Sequence, residues 1–307
     1  MVDEETMVQQ GVAEVVGVQT TDASSISETM DTIAHRESTL AELDGIARQL
    51  RRDIVTMIGA AGSGHPGGSL SSVEILTALY WRVLRHDSSN PSWPDRDRFI
   101  LSKGHVAPVL YAALAEAGYF SKDLLMTLRK FGSPLQGHTD STALPGVEMS
   151  GGSLGQGLSF GIGTAKAGRL DNKDYRVYVL LGDGECQEGQ VWEAAMAAGK
   201  YKLDTLTAIV DRNGIQNDDR VEVQMHVEPL ADKWRAFGWH VIEADGHSIP
   251  SLLSGIDAAM TTKGQPSVII AHTIKGKGVS FMEDNVEFHG KAPTAEQVEQ
   301  ALAELAD

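Results

Sequence analysis

One carboxylate and one amide, thirty residues apart, are the first pair in this sequence placed to do chemistry together. The apolar run Tyr175 to Leu181 (YRVYVLL) leads into Gly182, Asp183, Gly184 and Glu185. A second run, Thr205 to Val210 (TLTAIV), leads into Asp211, Arg212, Asn213, Gly214 and Ile215. That separation is the span of one βαβ crossover, which returns Asp183 and Asn213 to the same edge of a sheet. A carboxylate and an amide oxygen, with a backbone carbonyl and phosphate oxygens, suit a hard cation such as Mg²⁺ that keeps substrate phosphates and water among its ligands. A GDG is also an ordinary turn, and Asp183 is also placed to cap the next helix; both readings stand beside the metal one.

Histidine supplies the second candidate set. His65, His105, His138 and His289 each adjoin a glycine in a segment without regular periodicity (GHP, KGHV, GHT and FHG). One such histidine is ordinarily structural, whereas four converging loops point to a polar site handling hydroxyls and protons near neutral pH. No HExxH or comparable close pair occurs and the chain has a single cysteine, Cys186, so zinc is disfavoured. Two glycine-rich segments follow the same theme. Ser63 to Gly68 (SGHPGG) is not a P-loop, since no GK[ST] follows at the required distance, and Gly276 to Gly278 fails the same test. Gly151 to Gly157 (GGSLGQG) either cradles a ligand with backbone N–H groups ahead of a helix near Leu158 or is a plain tight turn.

These residues need a scaffold, and the periodicity describes one. Leu40, Leu43, Ile46, Leu50, Ile54 and Ile58 recur every three or four residues, a helical stripe that ends at the glycine-rich stretch 59–68. A second helix is expected over 70–84. Strands are expected at 175–181, 205–210, 240–244 and 267–271, alternating with helices at 187–200, 229–237 and 249–262. Strictly alternating β and α elements predict a doubly wound parallel sheet with helices on both faces, and such sheets bind ligands outside the carboxyl ends of the strands. One domain over 37–291 is the simplest division, with an acidic flexible leader at 1–36 and an acidic C-terminal helix or tail at 292–307.

Composition narrows the partners. The chain has 307 residues, 42% of them hydrophobic, so it is not chiefly disordered. It carries 26 basic against 42 acidic side chains, a net charge of −16, and no basic cluster, which argues against nucleic acid and anionic membranes. No run of eighteen apolar residues occurs, no basic residue precedes Arg36, and a lone cysteine cannot form an internal disulfide. A cytoplasmic location is therefore expected.

The ordered set SGHPGG, LSKGH (101–105), GH (137–138), GGSLGQG, GDG with QEG (187–189), DRNGI (211–215), TIKGKG (273–278) and FHG resembles the thiamine-diphosphate-binding half of transketolase over about 40–291. The resemblance implies that same doubly wound fold. It also implies thiamine diphosphate with Mg²⁺, for which Ca²⁺ or Mn²⁺ would substitute, the metal held by Asp183, Asn213 and the Ile215 carbonyl. Gly184 and His289 would lie near the cofactor's phosphates, Gly152, Ser153 and Leu154 would line its rings, and His105 and Ile274 would touch it. His65, His105, His138 and His289 would surround the substrate carbons. Glu188 and Glu193 match carboxylates that run toward a paired site at a subunit interface, or else form a solvated helix face. The family's glutamate for the aminopyrimidine lies on a second, pyrimidine-binding domain, for which 292–307 leave no room.

The resemblance thus implies one subunit of a two-chain transferase of the pentose phosphate type. A separate pyrimidine-domain subunit would complete it, in an α₂β₂ assembly acting on sugar phosphates. Alternatives are a related enzyme subunit using a modified sugar or pyruvate-type donor, a non-catalytic cofactor-binding regulatory subunit, and an Mg-nucleotide module. The missing Walker lysine counts against the last. Asn217 and Asp219 depart from the family's apolar residue and glycine, which bears on packing near the thiazolium and on donor preference.

Overall fold

A computed structural model describes residues 38–306; the acidic leader expected at 1–36 lies outside the described residues. Five parallel strands, β1 (Arg98–Leu101), β2 (Val177–Gly182), β3 (Leu206–Arg212), β4 (His240–Asp245) and β5 (Ser267–His272), lie in the order β1-β2-β3-β5-β4. The helices are α1 (Leu40–Ala61), α2 (Pro66–Ser71), α3 (Val73–Ala78), α4 (Ala107–Glu116), α5 (Gln156–Leu170), α6 (Gly189–Tyr201), α7 (Val221–Gln224), α8 (Leu230–Ala236), α9 (Ile249–Thr261) and α10 (Ala295–Glu304).

The chirality of the crossovers distributes these helices. From β1 through β4 the chain advances in one direction across the sheet, and α5, α6 and α8 cover one face, packing Leu158, Val191 and Trp234 into one core. Between β4 and β5 the direction reverses, so a right-handed connection must put α9 on the other face. There Leu252 and Ile256 join Leu50, Leu76 and Leu110 of α1, α3 and α4 in the second core. The doubly wound expectation holds.

Local signals explain the element ends. Thr39 and Glu42 form a capping box at the start of α1, with Thr39 N–H donating to Glu42 Oε2 at 2.7 Å, and Gly62 stops the helix at φ +61°. Leu43, Leu50, Ile54 and Ile58 are buried, but Leu40 is 48% exposed because it overhangs the first turn. The helix expected from 70 begins earlier, with Pro66 in its first turn, and breaks at Ser72 before a π-helical turn at Leu79–Val83. The helix after GDG begins at Gly189 rather than 187, because Gly184–Gln187 form a 3₁₀ turn and Glu188 is extended. β1 and α4 have no counterpart in the sequence reading. β1 is four residues long, and α4 is buried on nearly every side, so neither shows a one-sided apolar pattern. At the other end, α10 opens on a Thr294–Gln297 capping box and tucks Ala301 into the core beside α1. Among the described residues no helix is long and apolar enough to cross a membrane.

Candidate functional site

The carboxyl ends of β1, β2, β3 and β5 open onto one cleft of about 320 Å³. Pairing Gly182 with Asp211 puts Asp183 and Asn213 side by side, as the crossover spacing requires. Asp183 is 3% exposed; its Oδ1 accepts from Gly184 N–H at 2.8 Å and its Oδ2 from Gly214 N–H at 2.7 Å. It thus caps the 3₁₀ turn, and the cap and cleft readings describe one residue. Burial raises its carboxyl to about 6, with Asp211 adding to the rise and the Gly214 amide opposing it. A carboxylate left so costly to ionise gains most from a cation beside it.

Asp211 organises the floor of the cleft. Fully buried, it accepts from Ser71 Oγ at 2.6 Å, Ser72 Oγ at 3.2 Å, Asn213 Nδ2 at 3.0 Å, Lys103 Nζ and Thr273 Oγ1. Burial works against its charge, yet Lys103 together with the Ser71 and Thr273 hydroxyls outweighs that and keeps the carboxyl below its ordinary value. Because the Asn213 amide nitrogen is committed to Asp211, its Oδ1 is oriented apart, where it accepts from Ile215 N–H at 3.1 Å. The Ile215 carbonyl, third in the proposed metal set, accepts from Lys275 Nζ at 2.7 Å. Burial, then the neighbouring Lys103 charge, lowers the Lys275 ammonium to about 8.

The four histidines do converge. Ring centroids of His65 lie 5.2 Å from His105, 5.5 Å from His289 and 6.2 Å from His138, and His105 stacks on His289 at 5.2 Å. Burial lowers all four. His65 falls to about 4, helped by Arg129, and His289 to about 3, helped by Lys275; His105 lies well below its ordinary value and His138 below it. All are neutral at pH 7, able to donate from one nitrogen and accept at the other. Lys275 Nζ sits 2.8 Å from His289 Nδ1, and an ammonium only donates, so Nδ1 is the acceptor and the ring proton is on Nε2. His65 Nδ1 is buried without a hydrogen-bond partner.

Glycines let these walls close up. A Cβ on Gly104 would lie 2.8 Å from Gly152 N and 2.9 Å from Gly151 Cα, and one on Gly68 would lie 2.8 Å from Val106 and 3.6 Å from His105. Gly152 has φ +136° and Gly155, which precedes α5, has φ +84°. Buried Glu185 ties this loop to the sheet, accepting from Gly155 N–H at 2.8 Å, Gly182 N–H at 3.0 Å and Ser102 Oγ.

Of the residues singled out from sequence, His105, His138, His289, Gly152, Leu154, Asp183, Gly184, Glu188, Asn213 and Ile215 line the cleft, and His65 adjoins it through its ring contacts. Ser153 sits between two lining residues without lining the cleft itself. Ile274 is 38% exposed and its N–H donates to His247, while its neighbour Lys275 lines the cleft. Glu193 is exposed on α6 and is not among the lining residues. Asn217 does line the cleft. Missed from sequence were Lys103, Asp211, Glu185 and Lys275. Each lies in or beside a quoted motif, but a buried carboxylate or ammonium is recognised by its partners, most of them distant in sequence. Arg129, bonded to Ser63 Oγ at 2.9 Å and lowering His65 and His138, gave no signal at all.

Comparison with known proteins agrees with this geometry. The family described as transketolase, thiamine diphosphate binding domain, matches residues 43–306. The chain is 47% identical to a 6-deoxy-6-sulfo-D-fructose transketolase subunit of Clostridium sp. (strain MSTE9), covering 86% of this chain and 96% of that one. It is 44% identical to one of the subunits of apulose-4-phosphate transketolase in Phocaeicola vulgatus, covering 84% and 91%. Human transketolase is 43% identical over 87% of this chain, which spans only 42% of the human protein. The crystal structure of Campylobacter jejuni transketolase superposes with a TM-score of 0.83 at 33% identity, over 87% of this chain and 43% of that one. With its cleft at the strand ends, its four clustered imidazoles and a length that matches separate transketolase subunits nearly end to end, the chain belongs to the thiamine-diphosphate-binding domain family of transketolase.

Proposed function

We propose that this chain is the diphosphate-binding subunit of a two-chain transketolase that moves a two-carbon ketol unit from a ketose to an aldose. The observation that carries the reading is one cleft that holds a buried, cation-seeking Asp183, an oriented Asn213 and three neutral histidines, with a fourth, His65, against them. The residues fit the cofactor: His65 Nδ1 is a buried polar atom without a partner, and Gly104 packs directly on the Gly151–Gly152 backbone, leaving Gly152 open on the cleft side. Asp183, the Asn213 amide oxygen and the Ile215 carbonyl would hold Mg²⁺ on the diphosphate, with the Lys275 ammonium adding positive charge beside it. When bound, thiamine diphosphate supplies the electron sink for breaking and forming carbon–carbon bonds.

The chain's own groups do the rest. The neutral imidazoles of His65, His105 and His138 donate to substrate oxygens from one nitrogen and take a proton at the other. His289, its Nδ1 committed to Lys275, is a donor only at Nε2. The Arg129 guanidinium at Ser63 sets a cation beside His65 and His138, suited to an anionic sugar tail. A phosphate or a sulfonate would fill that role. Two relatives are named for modified sugars and others are plain transketolases at similar identity, so a modified-sugar donor is compatible with this site alongside an ordinary ketose phosphate.

The partner is a separate pyrimidine-domain subunit in an α₂β₂ assembly, consistent with relatives named as subunits. Glu188 and Glu193, both exposed on or beside α6, are the groups offered to that assembly. A reducing cytoplasm suits the buried, unpaired Cys186. The test is calorimetric titration of thiamine diphosphate with Mg²⁺ into the chain, alone and mixed with a candidate pyrimidine-domain protein, followed by a ketol-transfer assay. Binding, with turnover only in the mixture, is expected. Absence of binding in both sinks the proposal.

A further inference from the structure

Lys275 is one of two buried ammonium groups lining the cleft among the described residues, bonded to the Ile215 carbonyl and His289, yet its backbone is poorly suited to hold it there. It lies between the exposed Ile274 and Gly276, which has φ +82°, and Gly278 follows at φ +92°. A loop with two left-handed glycines has little conformational preference of its own, so tertiary contacts must fix it. Two of those contacts flank Lys275 and share one origin. On its N-terminal side, Ile274 N–H donates to His247 Nε2 at 2.8 Å. On its C-terminal side, Arg51 Nε donates to the Lys277 carbonyl at 3.0 Å. Both side chains are held by the same carboxylate: Glu74 Oε1 accepts from Arg51 at 2.5 Å, and Glu74 Oε2 is 3.0 Å from His247 Nδ1.

The chemistry of these bonds is one-way. A backbone N–H can only donate, so His247 Nε2 is the acceptor and its proton resides on Nδ1, facing Glu74. Glu74 therefore meets two donors, a task that suits a carboxylate and defeats an amide. The three side chains are 9 to 14% exposed, and they come from α1, α3 and the turn after β4. None of them lines the cleft.

We propose that Glu74, through Arg51 and His247, is a positioning device that brackets the Ile274–Lys277 backbone and so delivers the Lys275 ammonium to the Ile215 carbonyl and His289. The inference rests on reading the cleft as a thiamine diphosphate site, because its functional consequence is cofactor affinity. It is tested in the full-length chain with two readouts. Hydrogen–deuterium exchange without cofactor reports on the peptide covering 273–279, and calorimetry with thiamine diphosphate and Mg²⁺ reports affinity.

His247→Leu removes both bonds, His247→Gln keeps one donor and one acceptor, and Glu74→Gln leaves two donors facing a single acceptor. H247L and E74Q are expected to speed exchange in 273–279 selectively and to weaken cofactor binding by about 10-fold or more, the scale of lost second-layer support at a metal site. H247Q is expected to recover both readings toward the parent. Parent-like exchange and affinity in H247L overturn the proposal. So does H247Q behaving like H247L with faster exchange spread over the whole chain, the signature of general destabilisation. Should H247L fail to fold, E74Q decides by the same readings, and parent values there overturn the proposal. Failure of the parent chain to bind the cofactor would sink the functional reading alone, because the exchange arm needs no cofactor.

Discussion

Replacing Asp183 with Asn removes the charge that the cleft holds at a cost, and that cost can be worked out. Asp183 is 3% exposed, and burial takes its carboxyl from an ordinary 3.8 to about 6. As pH rises through that interval the unfolded chain gives up its proton while the folded chain keeps it, so stability falls, and by about pH 7 the loss is complete. At about 1.4 kcal/mol per unit the full loss is about 3 kcal/mol, of which about 2 kcal/mol accrues between about pH 4.5 and pH 7.5. The Asn variant lacks this slope. It also turns an NH₂ toward one of the two backbone N–H groups, a constant cost of about 1–3 kcal/mol that offsets its profile without tilting it. The lowered histidines tilt both proteins alike, losing stability as pH falls, and cancel in the difference.

The assay is denaturant unfolding of parent and variant, free of divalent ions, across that range. D183N minus parent should rise by about 2 kcal/mol toward neutral pH, or about 3 °C in relative midpoint if the unfolding is thermal, for a chain of this size. Adding Mg²⁺ with thiamine diphosphate should then stabilise the parent, by about 2.7 kcal/mol at a hundredfold excess over Kd, and leave D183N unmoved. Parallel pH profiles for the two proteins would refute the claim that burial holds this carboxyl up.

Three further outcomes follow from the same geometry. His65→Ala should lower kcat of the reconstituted enzyme by about 100-fold or more while leaving cofactor affinity of the chain near the parent value, and an equal loss in both would remove its proton-handling role. Lys103→Met strands the buried Asp211 carboxylate and should cost about 3–5 kcal/mol in unfolding experiments, part of it recovered when Asp211→Asn is added; strict additivity of the two changes would count against a coupled pair. Gly104→Ala drives a Cβ into the Gly151–Gly152 backbone and should destabilise by about 1–3 kcal/mol with weaker cofactor binding, whereas unchanged unfolding and affinity would show that this contact yields.

Much of this was legible before any coordinates. The alternation of β-branched runs with helical stripes described the parallel sheet, since strand and helix periods differ and each survives in a single sequence. Thirty residues between Asp183 and Asn213 placed both at one sheet edge, because one crossover returns the chain there. Glycines beside His65, His105, His138 and His289 marked four loops that converge at the cleft. α4 escaped because a helix buried on nearly every side has no polar face to reveal its period.

What sequence by itself determined, then, was most of the elements, β1 and α4 excepted, and the ends at which chemistry would gather, both properties of local spacing. Tertiary structure alone decided the rest: that Asp211 would be the hub for Lys103, Thr273, Ser71 and Asn213, that Lys275 would line the cleft, and that His289 would carry its proton on Nε2. Each of these depends on which donors and acceptors meet once water is excluded. The partners stand 62 to 140 residues from Asp211 in the cases of Thr273, Lys103 and Ser71, beyond the reach of any local pattern. A buried charge takes its state from neighbours that only folding supplies.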